Sequence, residues 1–305
     1  MVLRRLRTTI GGYLWGRTFA AGGLLTWLHE PVVRRSVNEA VTGSPDRWPL
    51  EWLSDRLDGR CLDRALSLGC GEGALERDLL SKGLCRTVVG IDVSRRALDL
   101  ARRAATAGGF DGVSYRWGDL NRLELPARSA HAVFFHQSLH HVEALDHCLA
   151  TAASAIRPGG LAYFDEYVGP ARREWSRELL REAQNTFREL PPGIRRSRRL
   201  RLPVDRWDPT EAVRSSDILT AVERHFHIET SRDYGGNFLS VIYPHLDLSK
   251  LTASERDSIL QGLVDAERRH LEAGARSFYA VLIATPREEL LQASTRSRPC
   301  PRSLR

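Results

Sequence analysis

Leu66-Ser67-Leu68-Gly69-Cys70-Gly71-Glu72-Gly73 is the stretch on which the reading of this chain turns. A short apolar run, Ala65–Leu68, enters a turn in which every second residue is glycine, and Leu75, Leu79 and Leu80 follow at helical spacing. Strand, glycine turn and helix in that order let backbone pass close to a ligand, because glycine has no Cβ and tolerates the dihedrals of a tight turn. By itself the turn is unspecific. Gly69, Gly71 and Ala74 also satisfy the loose dinucleotide pattern G-x-G-x-x-G/A, so a nicotinamide or flavin enzyme stays in view.

On either side of the turn, short apolar runs alternate with polar helical stretches, which predicts βαβ units around a parallel sheet. Thr87–Val93 reads as the second strand, with Ser94 opening the next helix, and Val113–Trp117 as a weaker third. His131–Phe135 is the fourth, and Leu161–Phe164 the fifth after the turn Arg157-Pro158-Gly159-Gly160. Beyond Gly169 the alternation stops. A charged amphipathic helix near Arg172–Leu190, then Pro191-Pro192-Gly193 and the basic run Arg195–Arg201, read as a lid-like insertion over residues 170–215. Phe226–Arg232 and Phe278–Ala284 are the last two strands, with a long helix near Ala253–Ala273 between them. The expected fold is α/β: a doubly wound, seven-stranded, mostly parallel sheet with helices on both faces, an N-terminal helical flank and a helical insertion after the fifth strand. Residues 1–60 form the flank or cap, residues 61–285 the main domain, and residues 286–305, rich in Arg, Ser and Pro, a disordered tail. In the flank, Thr42-Gly43-Ser44-Pro45 separates a helical pattern ending near Val41 from one beginning near Leu50.

Composition narrows the class. With 42% hydrophobic and 27% charged residues, the 305-residue chain has ordinary globular usage. The net charge of +7 is mostly arginine, but no aromatic-interleaved strand or nucleic-acid motif accompanies the basic run, so nucleic-acid binding is not expected. The five cysteines are odd in number and contain no C-x-x-C pair, which suits free thiols in a reducing cytoplasm and gives no metal framework. Arg4, Arg5 and Arg7 precede the moderately apolar Thr18–Leu28, but Arg17 interrupts the run, the stretch is too short to span a bilayer, and no small-residue cleavage site follows. Two readings of this segment stay open: an interfacial helix making peripheral membrane contact through Tyr13, Trp15, Phe19 and Leu24, or a helix packed on the main domain.

Asp92 ends the second strand, where a carboxylate can accept hydrogen bonds from both hydroxyls of an adenosine ribose. That fits more than one cofactor. Downstream stand Gly118-Asp119-Leu120-Asn121, Leu125-Pro126, Phe134-Phe135-His136-Gln137-Ser138-Leu139-His140-His141 and Arg157-Pro158-Gly159-Gly160. Together with the glycine turn and Ile91-Asp92-Val93-Ser94, these segments resemble, in order and spacing over roughly residues 60–170, the class I S-adenosylmethionine (SAM)-dependent methyltransferases. The stretch Asp165-Glu166-Tyr167-Val168-Gly169-Pro170, with Arg173 and Trp175 after it, is similar to a bacterial group of such enzymes acting on small molecules or glycans.

The resemblance implies SAM as cofactor and a small-molecule or glycan acceptor. Gly69, Cys70 and Gly71 would line its methionine and ribose through their backbone, Asp92 with Val93 beside it would hold the ribose, Asp119 with Leu120 the adenine, and His136 the methionine end. One departure is plain: the family has an acid two residues before the first glycine, and this chain has Ser67. Methyl transfer needs alignment and exclusion of water more than a nucleophilic residue. An oxygen acceptor must also lose a proton, and His140 and His141, at the carboxyl edge of the sheet, are candidate bases. Glu166 and Tyr167 are candidates to orient the acceptor or take its proton. The other functions carried forward are a nicotinamide-dependent oxidoreductase and a non-catalytic SAM-binding protein.

Overall fold

The computed structural model describes residues 11–14, 17–18, 26–203 and 208–287. In chain order these form α1 (Pro31–Thr42), α2 (Pro49–Arg56), β1 (Leu62–Leu68), α3 (Ala74–Ser81), β2 (Cys85–Asp92), α4 (Arg95–Ala107), β3 (Val113–Trp117) and β4 (Ala130–His136). There follow α5 (Leu145–Ala155), β5 (Ile156–Tyr167), α6 (Arg181–Glu189), α7 (Ile218–His225), β6 (Phe226–Gly235), α8 (Leu239–Ile242), α9 (Ala253–Glu272) and β7 (Tyr279–Pro286).

The seven strands make one sheet in the order β3-β2-β1-β4-β5-β7-β6. The first five run parallel, and β7 lies antiparallel between β5 and β6. Strand order reverses between β1 and β4, so the cleft beyond their carboxyl ends is where an open α/β sheet binds its ligand.

Alternation along the strands sorts the core into two layers. Ala65, Phe134, Tyr163 and Val281 face one side, packed with Val33, Leu53, Leu79 and Leu263 of α1, α2, α3 and α9. Leu68, Val133, Phe135, Phe164 and Leu282 face the other, packed with Leu149 of α5 and Val222 of α7. Phe164 stacks on Phe135 with centroids 5.2 Å apart and meets Phe226 edge-on at 5.6 Å. With both faces covered, the central strands are apolar throughout, which is why they were legible.

Several boundaries differ from expectation. β1 begins at Leu62 because it pairs with Cys85 before the apolar run starts, while Asp63 and Arg64 face solvent. β5 takes in the Pro158-Gly159-Gly160 turn, which sits at a register shift against β4. The helix expected over Arg172–Leu190 shortens to α6. Ala171 N–H donates to the Glu174 carboxylate at 2.8 Å and Arg172 N–H to Ala212 O at 2.8 Å, so these amides close loops instead of starting a helix.

The N-terminal helices pack on the β6–β7 edge, where Trp27 lies edge-on to Tyr279 with centroids 5.2 Å apart. The buried Glu30 there accepts from Arg256 Nε at 2.9 Å and also from Tyr243 Oη. Residues 288–305, and Trp15, Phe19 and Leu24, lie outside the described residues, whereas Tyr13 is exposed. Among the described residues no helix is long and apolar enough to cross a membrane.

Phe164→Ala removes the ring that joins β5 to both Phe135 and Phe226. It should cost about 3–5 kcal/mol, a fall of roughly ten degrees in melting temperature read by circular dichroism.

Candidate active site

The turn after β1 is fixed by its own amides. Gly69 N–H and Cys70 N–H both donate to Ile91 O, at 2.8 and 3.1 Å, and Gly71 N–H donates to Asp92 Oδ2 at 2.9 Å. A ligand therefore meets the partly exposed Gly69 and Cys70 through Cα and carbonyl edges, since their N–H groups are already engaged. Gly69 has φ +81°, and a Cβ there would stand 2.3 Å from Ser138 Cβ. The glycine is thus demanded by the close approach of the β4 loop as much as by any ligand.

Asp92 Oδ1 accepts from Ser94 N–H at 2.7 Å, while the Ser94 hydroxyl accepts from Ala97 N–H and caps α4. Burial pushes the Asp92 carboxyl up, against the neighbouring backbone amides that lower it. Each oxygen holds one backbone N–H and has a further lone pair, enough for the two hydroxyls of a ribose. On this observation the site fits an adenosine-bearing cofactor. Val93 and Leu120 are partly exposed beside it. Asp119 Oδ1 accepts from Asn121 N–H at 2.9 Å, so part of its role is to cap the turn. At the same edge Trp117, half exposed, donates from Nε1 to Val93 O at 2.9 Å and lies under the Arg95 guanidinium. An exposed tryptophan ending a strand was the sequence signal for it.

The loop after β4 is clamped by Glu166. This carboxylate has no solvent exposure; Oε1 accepts from Ser138 N–H at 2.8 Å and Leu139 N–H at 2.7 Å, and Oε2 lies 3.0 Å from His140 Nδ1. Burial opposes its charge, but His140 and the two amides outweigh burial and hold the carboxyl below its usual range. Burial would likewise lower His140, yet the Glu166 bond and the charges of Glu211, Glu166 and Asp208 raise it. Glu166 is therefore buried beneath this loop with no exposed oxygen, and its bonding atoms are committed to His140 and the two amides. Ser138 Oγ then donates to Leu68 O at 2.6 Å, joining this loop to the glycine turn.

The His140 and His141 rings have centroids 4.2 Å apart and planes tilted by 42°. Their Nε2 atoms face Glu211 at 3.9 and 3.8 Å. His141 Nδ1 lies 3.2 Å from Thr210 Oγ1, whose hydroxyl donates to Asp208 Oδ1 at 2.6 Å. Burial and the neighbouring His140 keep His141 below its ordinary value. Asp208, Thr210 and Glu211 come from the insertion and carried no periodicity or motif that sequence reading could use. Over this cluster lies the N-terminal segment: a Cβ on Gly11 would stand 2.8 Å from Thr210 Oγ1, and one on Gly12 3.0 Å from Val93 Cγ1.

His136 is exposed, with Nε2 3.6 Å from Asp165 Oδ2. Asp165 Oδ1 also accepts from Tyr234 Oη at 2.6 Å and Gln137 Nε2 at 3.2 Å. Tyr167 donates to Pro170 O at 2.9 Å, so its hydroxyl is committed; its ring lies 6.0 Å from His140 and joins Phe278 and Tyr279 in an aromatic wall that Trp175 extends.

Beneath the glycine turn, Glu76 of α3 is fully buried, and neither carboxylate oxygen has a hydrogen-bond partner among the described residues. Burial pushes its carboxyl up to about 7; Ser67 is near enough to favour the charged form slightly without closing a full hydrogen bond.

Residues 66–164 match the family described as a methyltransferase domain. The chain is 31% identical over 179 residues to a 27-O-demethylrifamycin SV methyltransferase of Amycolatopsis mediterranei, covering 55% of this chain and 59% of that protein. It is 30% identical over 151 residues to a ubiquinone biosynthesis O-methyltransferase of Sinorhizobium fredii, covering 49% and 58%. The chain thus spans under two thirds of the length of these curated relatives. Among solved structures, a geranyl diphosphate methyltransferase in complex with GPP and sinefungin shares the fold at TM-score 0.50 and 17% identity, covering 77% of this chain and 76% of that one.

Glu76 gives a pH test with a defined sign. Its folded pKa of about 7 lies above the ordinary 4.5, so its cost to stability is absent below pH 4.5, grows as pH rises through 7 and is constant above. Glu76→Gln should therefore be more stable than the wild type by up to about 3 kcal/mol at pH 8, and the gain should vanish near pH 4.5, measured by urea unfolding.

Proposed function

We propose that this chain, which carries a methyltransferase domain of the class I SAM-dependent type, transfers a methyl group to an oxygen of a small acceptor molecule. The observation that carries this reading is the imidazole pair beside the glycine turn, with the Nε2 atoms facing the two oxygens of Glu211 and both Nδ1 atoms held by a buried carboxylate or a carboxylate-bound hydroxyl. When bound, SAM supplies a methyl group on a sulfonium. The residues of this chain do the rest. Asp92 accepts the ribose hydroxyls, and Gly69 and Cys70 let the cofactor lie against backbone. Tyr167, Trp175 and Phe278 offer the acceptor an apolar, aromatic wall that excludes water, and the segment at Gly11–Gly12, with the insertion, closes the cleft as a lid.

His141 is neutral near pH 7 by the direction of its shift, which leaves Nε2 able to accept a proton from an acceptor hydroxyl. Glu166 and His140 position that surface without touching the acceptor. An oxygen acceptor is favoured because both curated relatives compared above are named as O-methyltransferases or as acting on a 27-O-demethyl compound. The nicotinamide alternative is disfavoured by topology. A dinucleotide fold orders its strands 3-2-1-4-5-6, whereas an antiparallel β7 separates β5 from β6 here.

Isothermal titration with SAM, S-adenosylhomocysteine and NAD tests the cofactor. The first two should bind and NAD should not; NAD binding alone would reverse the reading. Asp92→Asn weakens bonds to two hydroxyls and sets an amide donor against one of the two backbone N–H groups, so it should reduce SAM affinity by about 100-fold and lower the melting temperature by a few degrees. His141→Ala should leave SAM affinity unchanged and slow transfer of labelled methyl to a hydroxylated aromatic or polyketide acceptor by about 10²–10⁴-fold. Unchanged transfer in that variant would remove His141 from the reaction.

A further inference from the structure

We propose that His140, His141 and Glu211 bind a first-row divalent transition cation of the Zn2+ kind. The binding site stands on the geometry of the cluster. Only its use rests on the methyltransferase reading: with the cation bound, His141 Nε2 is a ligand and no longer the base, and the cation holds the acceptor oxygen at an open coordination position.

Three donor atoms, one from each residue, lie within 4.8 Å of one another. The Nε2 to carboxylate separations of 3.9 and 3.8 Å are too long for hydrogen bonds. Donors on a cation bound at about 2.0–2.1 Å stand roughly 3–3.5 Å apart, so a small inward movement of side chains completes the triad. The imidazoles are already prepared for it. A metal-ligating histidine donates its other ring N–H to an oxygen, which fixes the tautomer and raises the basicity of the ligating nitrogen. His140 Nδ1 has Glu166 Oε2 at 3.0 Å. For His141 the partner is the Thr210 oxygen at 3.2 Å, and because the Thr210 hydroxyl donates to Asp208, that oxygen accepts from His141 Nδ1–H. Both Nε2 atoms thereby face the Glu211 carboxylate.

Charge points the same way. Glu166, Glu211 and Asp208 all act on the imidazole pair, and a divalent cation would offset part of that buried negative charge. Two imidazoles and one carboxylate suit Zn2+, Co2+ or Fe2+ and are a poor set for Mg2+ or Ca2+, which take oxygen ligands. Glu211 and His141 keep partial exposure, so a cation can enter from the cleft and retain positions for water or an acceptor oxygen.

The probe is Co2+, titrated into the chelator-treated full chain and read by its visible absorption, with Mg2+ as control and Zn2+ as competitor. Saturation at one equivalent, reversal by Zn2+ and silence with Mg2+ are expected. His141→Ala and Glu211→Gln should abolish that one-equivalent signal, and Glu166→Gln should weaken binding by about 10–100-fold. Should Glu166→Gln fail to fold, Asp208→Asn tests the same orienting effect through Thr210. Absence of a one-equivalent signal in the wild type overturns the proposal. So does equal binding by wild type, His141→Ala and Glu211→Gln, or a signal lost in Cys61→Ser, which would place the cation on the exposed thiol. SAM titration of the same chelator-treated protein reads the methyltransferase domain separately, so failure of one reading leaves the other standing.

Discussion

The Glu166 carboxylate is the constraint on which the site depends. A charge with no solvent exposure is held at the end of β5 because two backbone amides and the His140 ring donate to it. Removing one partner of such a buried set typically costs about 3–5 kcal/mol, since the other is left charged and unpaired. The consequence reaches beyond the pair. With the Ser138 and Leu139 amides fixed, Ser138 Oγ meets Leu68 O, and Ser138 Cβ occupies the space that a side chain at position 69 would need. The loops after β1 and β4, on either side of the strand-order reversal, are thereby one rigid unit, and the imidazole pair is carried on it.

That unit also explains why two adjacent histidines differ. Burial lowers both rings, but the bond to a full carboxylate raises His140 in spite of it, whereas His141, which bonds only to a hydroxyl and stands beside His140, stays lowered. Adjacent rings with opposite shifts keep His141 the more able to offer a neutral Nε2 near pH 7. The difference arises from the partner of each Nδ1, one on β5 and the other in the insertion, and a local sequence of two identical residues contains nothing of it.

The fold was largely legible because strands buried on both faces, such as Phe134–Phe135 and Ala162–Phe164, have apolar centres, and glycine turns mark the end of β1 and the bend in β5. Polar strand beginnings escaped: Asp63 and Arg64 belong to β1 through pairing with β2, a non-local fact. The segment after Gly169 misled for the opposite reason. Its helical periodicity was real, but Arg172 N–H is claimed by Ala212 O forty residues away, and tertiary pairing overrides local propensity. Of the site, the residues on strand ends were readable, since the topology alone sends them to the cleft. Glu211 and Asp208 were not, because their place is set by how the insertion folds back over the imidazoles.

Ser67 is where the likeness to the class I enzymes was weakest, and burial gives that departure a different meaning. The strand carries a serine and no acid at position 67, but the next helix supplies one from below: Glu76 lies under the same turn, close enough to Ser67, Asp92, Cys70 and Tyr115 for each to enter the balance of charge there. An acid on a strand end, open to solvent and backbone amides, is ionised at any physiological pH. Glu76 has neither water nor a full hydrogen bond, and burial leaves it near half-protonated at pH 7. Negative charge beneath the glycine turn is therefore conditional, and it competes with the charge on Asp92, which burial also raises. Burial raises Asp92 as well, and there the Gly71 and Ser94 amides bond the two oxygens directly and favour the charged form.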